Sequence, residues 1–322
     1  MIVTIDDVAK RVGVNKSTVS RALNGSSTIS ERTKKLIKET ANEMGYVGNF
    51  HAKLLASRRV NAIGVVFPPI ADKANQPFFM KILTSINKAA RKNKMTVAIA
   101  TGHSTEELNE QVDLMCRERR VDGFILLYAN ENDPVKDYLQ SEKVPFVLLG
   151  TPEHDIETVN SVDNDNNAMG VAAAEYLKSL GHRDFAFFVD DIHGLFVRER
   201  IKGFIKVVGE AHCKLVNIFD NDFVKKNETA IVVLDDWMAV SLIERFRREN
   251  VNVPEDLSIL SFNNSYLSEL VQPTLTTYGI NIEQLGKEAV KVLRQFIDTG
   301  RVHRKIVPFH LVERESVKNI AG

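Results

Sequence analysis

From Asn61 onward the chain alternates two patterns, and this alternation constrains its fold more than any other feature. Short apolar runs bounded by turn residues occupy Ala62–Phe67, Thr96–Ala100, Phe124–Tyr128 and Phe146–Leu149, then Phe185–Val189, Leu215–Phe219, Ile231–Leu234 and Ser258–Phe262. Amphipathic stretches of helical period separate them: Phe78–Arg91, Glu106–Arg117, Ala168–Leu180, Val197–Val208, Met238–Glu249 and Ile282–Ile297. Strand then helix, repeated, predicts parallel sheets covered by helices on both faces. The runs form two sets with a join near residues 155–165, which predicts two similar lobes. Ligands of such folds bind at the carboxyl ends of the strands, so paired lobes put the site in the cleft between them.

The first 60 residues read differently. Thr4 opens a helix with Asp7 three residues on; Ile5, Val8, Ala9 and Val12 follow at helical spacing, and Gly13 ends it. A second helix fits Lys16–Leu23, with Val19, Ala22 and Leu23 on its apolar face and Asn24-Gly25 as its break. Ser30 caps a longer helix that runs through Met44 and stops at Gly45. Helix, short turn containing Gly, second helix is the helix-turn-helix pattern. Polar side chains crowd the first turns of the second helix, as a recognition helix requires. Lys16 and Arg21 suit guanine O6 and N7, and Ser17 suits several bases, whereas Thr18 and Ser20 suit phosphates. The pattern alone leaves open a plain exposed polar face. The next segment, Asn49-Phe50-His51-Ala52-Lys53-Leu54-Leu55-Ala56, is too short for a stable isolated helix and reads as a linker that becomes helical on binding.

Charge separates the same two parts. The formal net charge is +0, yet residues 1–60 hold 11 Lys/Arg against 5 Asp/Glu, so the remainder is acidic by the same margin. A basic head on an acidic body predicts that the head meets a polyanion. No apolar run approaches the length of a membrane span, and the start lacks the basic patch and apolar stretch of a signal peptide, so a cytoplasmic protein is expected. Cys116 and Cys213 have no metal-ligand spacing and read as reduced, packed thiols. There is no Gly-rich phosphate loop, metal cluster or nucleophile motif, so neither catalysis nor a cofactor or metal is expected.

Thr4-Ile5-Asp6-Asp7-Val8-Ala9, Gly13-Val14, Ser17-Thr18-Val19-Ser20-Arg21-Ala22-Leu23-Asn24, Ile29-Ser30, Thr33 and Gly45-Tyr46, in this order, resemble the DNA-binding headpiece of the lactose-repressor/galactose-repressor family. The resemblance implies that Lys16, Ser17 and Arg21 are the main base readers and that Thr4, Thr18, Ser20 and Asn24 complete the DNA-binding set. It also implies a hinge helix in the minor groove, with Leu55 as the wedge and Lys53 tracking the groove or phosphates. Such a wedge kinks DNA at a cost of roughly a few kcal/mol, offset by added contacts; junction packing is the other reading of Leu54 and Leu55.

The resemblance continues through Arg120-Val121-Asp122-Gly123-Phe124, Val162-Asp163-Asn164-Asp165-Asn166, Leu180-Gly181-His182-Arg183, Arg200-Ile201-Lys202-Gly203-Phe204, Val253-Pro254-Glu255-Asp256-Leu257 and Pro273-Thr274-Leu275-Thr276-Thr277. These look like the family's regulatory domain, similar to the periplasmic sugar-binding proteins. The implied fold class is α/β: an all-α headpiece plus a two-lobed domain with parallel sheets. The implied domains are 1–48 for DNA, 49–60 as hinge and 61–322 for effector binding and dimerisation. Arg200 is the implied clamp on effector hydroxyls, and a guanidinium fork suits that task. Asp163, Asp165 and Asp235 are the implied cleft carboxylates; Asp236 is read either as a contact or as a helix cap. Phe78, Phe79, Tyr128 and Trp237, with Phe219 and Phe223, are aromatic candidates for the C–H faces of sugars. Two departures stand out: Asn263 occupies a position where most members carry aspartate, and residues 219–230 are too short for a helix that relatives place there. Gln76-Pro77-Phe78-Phe79 and Leu195-Phe196-Val197 resemble the maltose-operon repressor branch. The expectation is a homodimeric repressor that binds double-stranded operator DNA and a small sugar, with no membrane partner. A different sugar or a protein corepressor is the alternative.

Overall fold

The computed structural model describes residues 3–46, 59–68, 77–130, 132–152, 154, 157–190, 192, 194–219 and 226–321; Lys53, Leu55 and Phe223 lie outside them. The chain divides into two compact units, residues 1–60 and 61–322.

The first unit has three helices among its described residues: α1 (Ile5–Val12), α2 (Lys16–Leu23) and α3 (Glu31–Glu43). A capping box opens α1: Asp7 N–H donates to Thr4 Oγ1 at 3.3 Å, and Thr4 N–H donates to Asp7 Oδ2 at 2.8 Å. Gly13 closes it in the left-handed region at φ 77°. Ser30 caps α3 through Thr33 N–H at 3.2 Å. Val8, Ala9, Val19, Ala22, Ile37 and Ala41 form a small core, one side of each helix.

The second unit holds two six-stranded sheets. The first comprises β1 (Ala62–Val66), β2 (Thr96–Ala100), β3 (Gly123–Leu126), β4 (Phe146–Leu149), β5 (Asn160–Asp163) and β11 (Arg304–Ile306), in the order β11-β5-β4-β3-β1-β2. The second comprises β6 (Phe185–Val189), β7 (Cys213–Asn217), β8 (Ala230–Val233), β9 (Ser258–Asn263), β10 (Thr276–Ile280) and β12 (Phe309–Val312), in the order β12-β10-β9-β8-β6-β7. All pairings are parallel except β10 with β12. Apart from the last strand, each sheet has the doubly wound order of one central strand flanked by its successors.

Helices α4 (Pro77–Lys92), α5 (Thr105–Arg117), α6 (Pro134–Ser141), α7 (Asn166–Ser179), α8 (Leu195–Val208), α9 (Asp236–Arg248), α10 (Leu267–Leu270) and α11 (Ile282–Thr299) connect these strands. The first sheet has one core on each face, around Ile63, Val65 and Leu293 on one side and Phe124, Leu108 and Val112 on the other. A single larger core, with Phe185, Phe187 and Phe204 at its centre, fills the second lobe.

The expected join near residues 155–165 is found, directly after β5, but it is one of three. The chain passes between lobes three times: after β5, between β10 and α11, and between β11 and β12. Helix α11 and strand β11 return to the first lobe, where α11 packs on α4, β3, β4 and β5. Sheet pairing decides this, because β5 finds its partner in β4 and β11 finds its partner in β5. Strand edges also moved: Gly123–Leu126 replaces Phe124–Tyr128, and Cys213–Asn217 replaces Leu215–Phe219. Helix α6, only eight residues long, begins with Asp133 as cap and Pro134 in its first turn.

Candidate ligand cleft and nucleic-acid interface

Helix α2 buries Val19 and Ala22 and leaves Lys16, Ser17, Arg21 and Asn24 exposed. Ser17, Arg21 and Asn24, spaced four and three apart, share one face. Thr18 and Ser20 flank it, half-buried. Lys16 Nζ lies 3.1 Å from Asp6, an exposed ion pair that a stronger anion can displace. Thr4 is the exception: its hydroxyl donates to Asp7 Oδ2 at 2.7 Å and accepts from Asp7 N–H, so the helix cap already engages it.

In the second unit, the carboxyl ends of both sheets line one cavity of about 210 Å³. Seven residues expected there line it: Phe78, Phe79, Tyr128, Asp163, Arg200, Asp235 and Asn263. At its mouth a backbone bridge pairs Asn130 of the first lobe with Gly194 of the second.

Arg200 is buried in the second turn of α8. Its Nε donates to Asn166 Oδ1 at 2.9 Å and its Nη1 donates to the Leu234 carbonyl at 3.1 Å. The guanidinium carbon sits 4.5 Å from the centre of the Phe262 ring and 5.2 Å from that of Phe196. Two hydrogen bonds and two ring faces thus fix the fork before any ligand arrives. Its position depends on two glycines where α7 and α8 touch. A Cβ on Gly170 would meet the Arg200 carbonyl oxygen at 2.0 Å, and one on Gly203 would meet that of Asn167 at 2.1 Å. Gly203→Ala is therefore expected to push α8 away and to cost about 1–3 kcal/mol of stability from overpacking. Chemical denaturation checks the stability, and sugar titration of the folded variant should show weakened binding.

Burial lowers the Arg200 pKa to about 10, opposed by the charges of Asp163 and Asp235, so it stays protonated near neutrality. Burial raises Asp163 to about 6 despite hydrogen bonds from Asn164 N–H at 2.8 Å and Thr151 Oγ1 at 3.1 Å. Asp235 is raised to about 6 as well, first by burial and then by Asp236 and Asp190, against the bond from Met238 N–H. Ionised, each carboxylate only accepts from a polyol; protonation turns one oxygen into a donor and removes the charge that strengthens the bond. Sugar affinity is therefore expected to fall by about one to two orders of magnitude from pH 7.5 to pH 5. Stability runs the other way. A raised carboxyl stabilises the fold fully below its unfolded value near 3.8, and that contribution is lost as pH rises through about 6. Calorimetric titration across this range, compared with Asp235→Asn, checks the sign of the first effect, and thermal melts of the same pair check the second.

The remaining expectations are placed elsewhere. Asp165 caps α7, accepting from Ala168 N–H at 2.9 Å, and lies outside the cavity in a depression beside Glu199 and Lys202. Trp237 is 56% exposed and borders an adjacent groove with Met80 and Tyr266. Phe219 is 76% exposed and does not line the cavity. The cap of α9 is Asp235, not Asp236. Asp236 is buried and accepts from Ser261 Oγ at 2.6 Å, Ser265 N–H at 2.5 Å and Thr277 Oγ1 at 3.1 Å, a brace between α9, β9 and β10 that borders the adjacent groove. Sequence reading missed Asp190 and the anchoring role of Asn166. Asp190 directly follows β6, the same strand-end position that made Asp235 a candidate.

Comparison with known proteins agrees with both units. Residues 4–49 match the model for bacterial regulatory proteins, lacI family, and residues 174–317 match that for a periplasmic binding protein-like domain. The HTH-type transcriptional regulator MalR of Streptococcus pneumoniae serotype 4 is 30% identical over 99% of this chain and 100% of its own length. A putative transcriptional regulator LacI from Bacillus cereus subsp. cytotoxis superposes with a TM-score of 0.76 at 31% identity, covering 80% of this chain and 98% of its own. A transcriptional regulator CelR–cellobiose complex does so with a TM-score of 0.72 at 26% identity, covering 98% and 99%. Among the described residues no helix is long and apolar enough to cross a membrane. With a relative at this identity aligned end to end, the chain belongs to the lacI family of bacterial transcriptional regulators.

Proposed function

We propose that this regulator is a homodimeric repressor of a sugar-utilisation operon, relieved by maltose or a malto-oligosaccharide. The single observation that carries the sugar reading is the cavity's donor and acceptor set. A pre-fixed guanidinium at Arg200 faces the carboxylates of Asp163 and Asp235 beside the rings of Phe78 and Phe79. Such a wall grips hydroxyls from both sides and the C–H face of a pyranose from a third. The MalR name of the aligned relative supports maltose, an α-linked disaccharide; the cellobiose in the CelR complex supports a second reading, a β-linked disaccharide instead.

In this reading residues 1–48 bind DNA, 49–60 form the hinge and 61–322 bind effector and dimerise. Ser17, Arg21 and Lys16 read bases, Asn24, Thr18 and Ser20 hold the backbone, and two headpieces span half-sites about one helical turn apart. Sugar binding changes the lobe closure and weakens operator binding, so operator must weaken sugar binding by the same factor. A thermal-shift screen with maltose, maltotriose, cellobiose and ribose, repeated with operator, tests this. A sugar at a hundred times its Kd should add about 2.7 kcal/mol of stability, less with operator present. Identical sugar affinity with and without operator would sink the mechanism; a shift with cellobiose alone would select the second reading.

A further inference from the structure

The N-terminal edges of the two sheets lie at opposite ends of the second unit, because their C-terminal edges share the cavity. Asn61 lies on the edge of the first sheet. Its carbonyl accepts from Thr96 N–H, and its own N–H donates to Asp122 at 2.7 Å. The chain therefore joins the DNA-binding unit at this end.

The charges of the two ends are opposite. At the first, the connections 91–95, 117–122, 142–145 and 299–305 contain ten Lys/Arg and three Asp/Glu. At the second, the connections 180–184, 209–212, 226–229 and 249–257 contain two Lys/Arg and six Asp/Glu. Backbone conformation sharpens the contrast. The helices before β2, β3 and β4 end on Lys94, Arg119 and Lys143, all in the left-handed region at φ 58°, 52° and 55°. The helices before β6, β7 and β9 end on Gly181, Gly209 and Asn250, also at positive φ. Glycine and asparagine adopt that conformation readily, whereas a long side chain does so against its preference. The same structural position thus carries the favoured residue at the acidic end, whereas at the basic end three of four such positions carry a disfavoured, exposed cation and the fourth, before β11, carries Gly300 at φ 67°.

We propose that this basic end is a second DNA-contact surface, which meets backbone phosphates of the operator through Lys94, Arg119 and Lys143, with Lys92, Arg301 and Arg304 around them. The inference rests on the operator-binding reading above. Phosphates are the occupant favoured here, because the covalent join holds this end, and not the acidic one, at high local concentration near the DNA. The acidic opposite end is repelled, which orients the body.

The test replaces Lys94, Arg119 and Lys143 together by asparagine, which keeps left-handed competence as Asn250 does. Binding of the full chain is measured against salt on two duplexes: the site that the wild type selects from a random pool, and an unrelated sequence. The expected result is a log–log salt slope less steep by about 0.9 for each phosphate that is no longer neutralised, and weaker binding to both duplexes. Arg183→Gln with Lys226→Gln, at the acidic end, should leave the slope unchanged. Should the triple variant misfold by thermal melt, Lys92→Gln with Arg301→Gln reads the same slope. An unchanged slope in a folded basic-end variant overturns the proposal, as does an equal loss in the acidic-end control. Retained DNA binding with loss of a response to an acidic protein overturns it in favour of a protein partner. A wild type that selects no duplex overturns the operator-binding reading itself and the proposal with it.

Discussion

Arg200→Ala is expected to leave operator binding intact and to abolish the response to sugar. Arg200 supplies the cavity's only guanidinium among the described lining residues, and three carboxylates, Asp163, Asp190 and Asp235, face the same space. Removing it deletes the fork and leaves Asp163 and Asp235 without the charge that opposes their rise in pKa. Each charge-assisted hydrogen bond lost to the ligand is worth about 1.5–3 kcal/mol, so losing a two-pronged grip should lower sugar affinity by two orders of magnitude or more. Arg200→Lys should not rescue it, since an ammonium cannot bond Asn166 and Leu234 along one plane while offering a second edge to a diol. The lobe should stay folded, because its core of Phe185, Phe187 and Phe204 does not use the guanidinium. Calorimetric titration of sugar and band-shift titration of operator check the two halves. A variant still released from operator by sugar at wild-type concentrations would remove Arg200 from the site.

Arg21→Ala is expected to erase discrimination between operator and unrelated DNA more than it weakens binding overall. Arg21 is exposed on the face of α2 that also presents Ser17 and Asn24, while Val19 and Ala22 anchor the opposite face against α1 and α3. A bidentate arginine–guanine pair is worth about 1–3 kcal/mol of base discrimination. Operator affinity should therefore drop by roughly 5- to 150-fold, with a smaller loss on random sequence. The salt slope should change by no more than the equivalent of about one phosphate. Equal losses on both DNAs would show that Arg21 touches only phosphate. Melting of the first unit should barely move, because the side chain makes no contribution to the buried core.

How much was legible from residues alone differs by part. Helices α2 and α3 ended where Asn24-Gly25 and Gly45 marked them, because caps and left-handed stops act within a few residues. Of the seven cavity residues, Tyr128, Asp163, Asp235 and Asn263 stand at or just past strand ends, which converge wherever parallel sheets face each other, whereas Arg200, on a helix, was legible only through the family resemblance. Asp165 and Trp237 were misplaced for a shared reason. Each stands near a strand end, yet Asp165 turns to cap α7, and Trp237 points from the exposed side of α9. That Asp235 rather than Asp236 caps α9 has the same origin, since neighbouring identical side chains differ only in the direction the backbone sends them.

By itself, then, the sequence determined everything that depends on near neighbours along the chain: the helix-turn-helix with its polar reading face, the alternation that demands parallel sheets, and the candidate acids and aromatics at strand ends. Tertiary structure alone decided which strand pairs with which, and so the three crossings between lobes and the return of α11 to the first. It decided the fixed pose of Arg200, which needs Asn166, Leu234 and the Phe262 ring from three other segments, beside Phe196 of its own helix. It also decided that scattered cations after three different helices gather at the end where the chain leaves its DNA-binding unit. Sheet pairing and long-range packing carry no local signature, because their free energy comes from surfaces that meet only when the whole chain is folded.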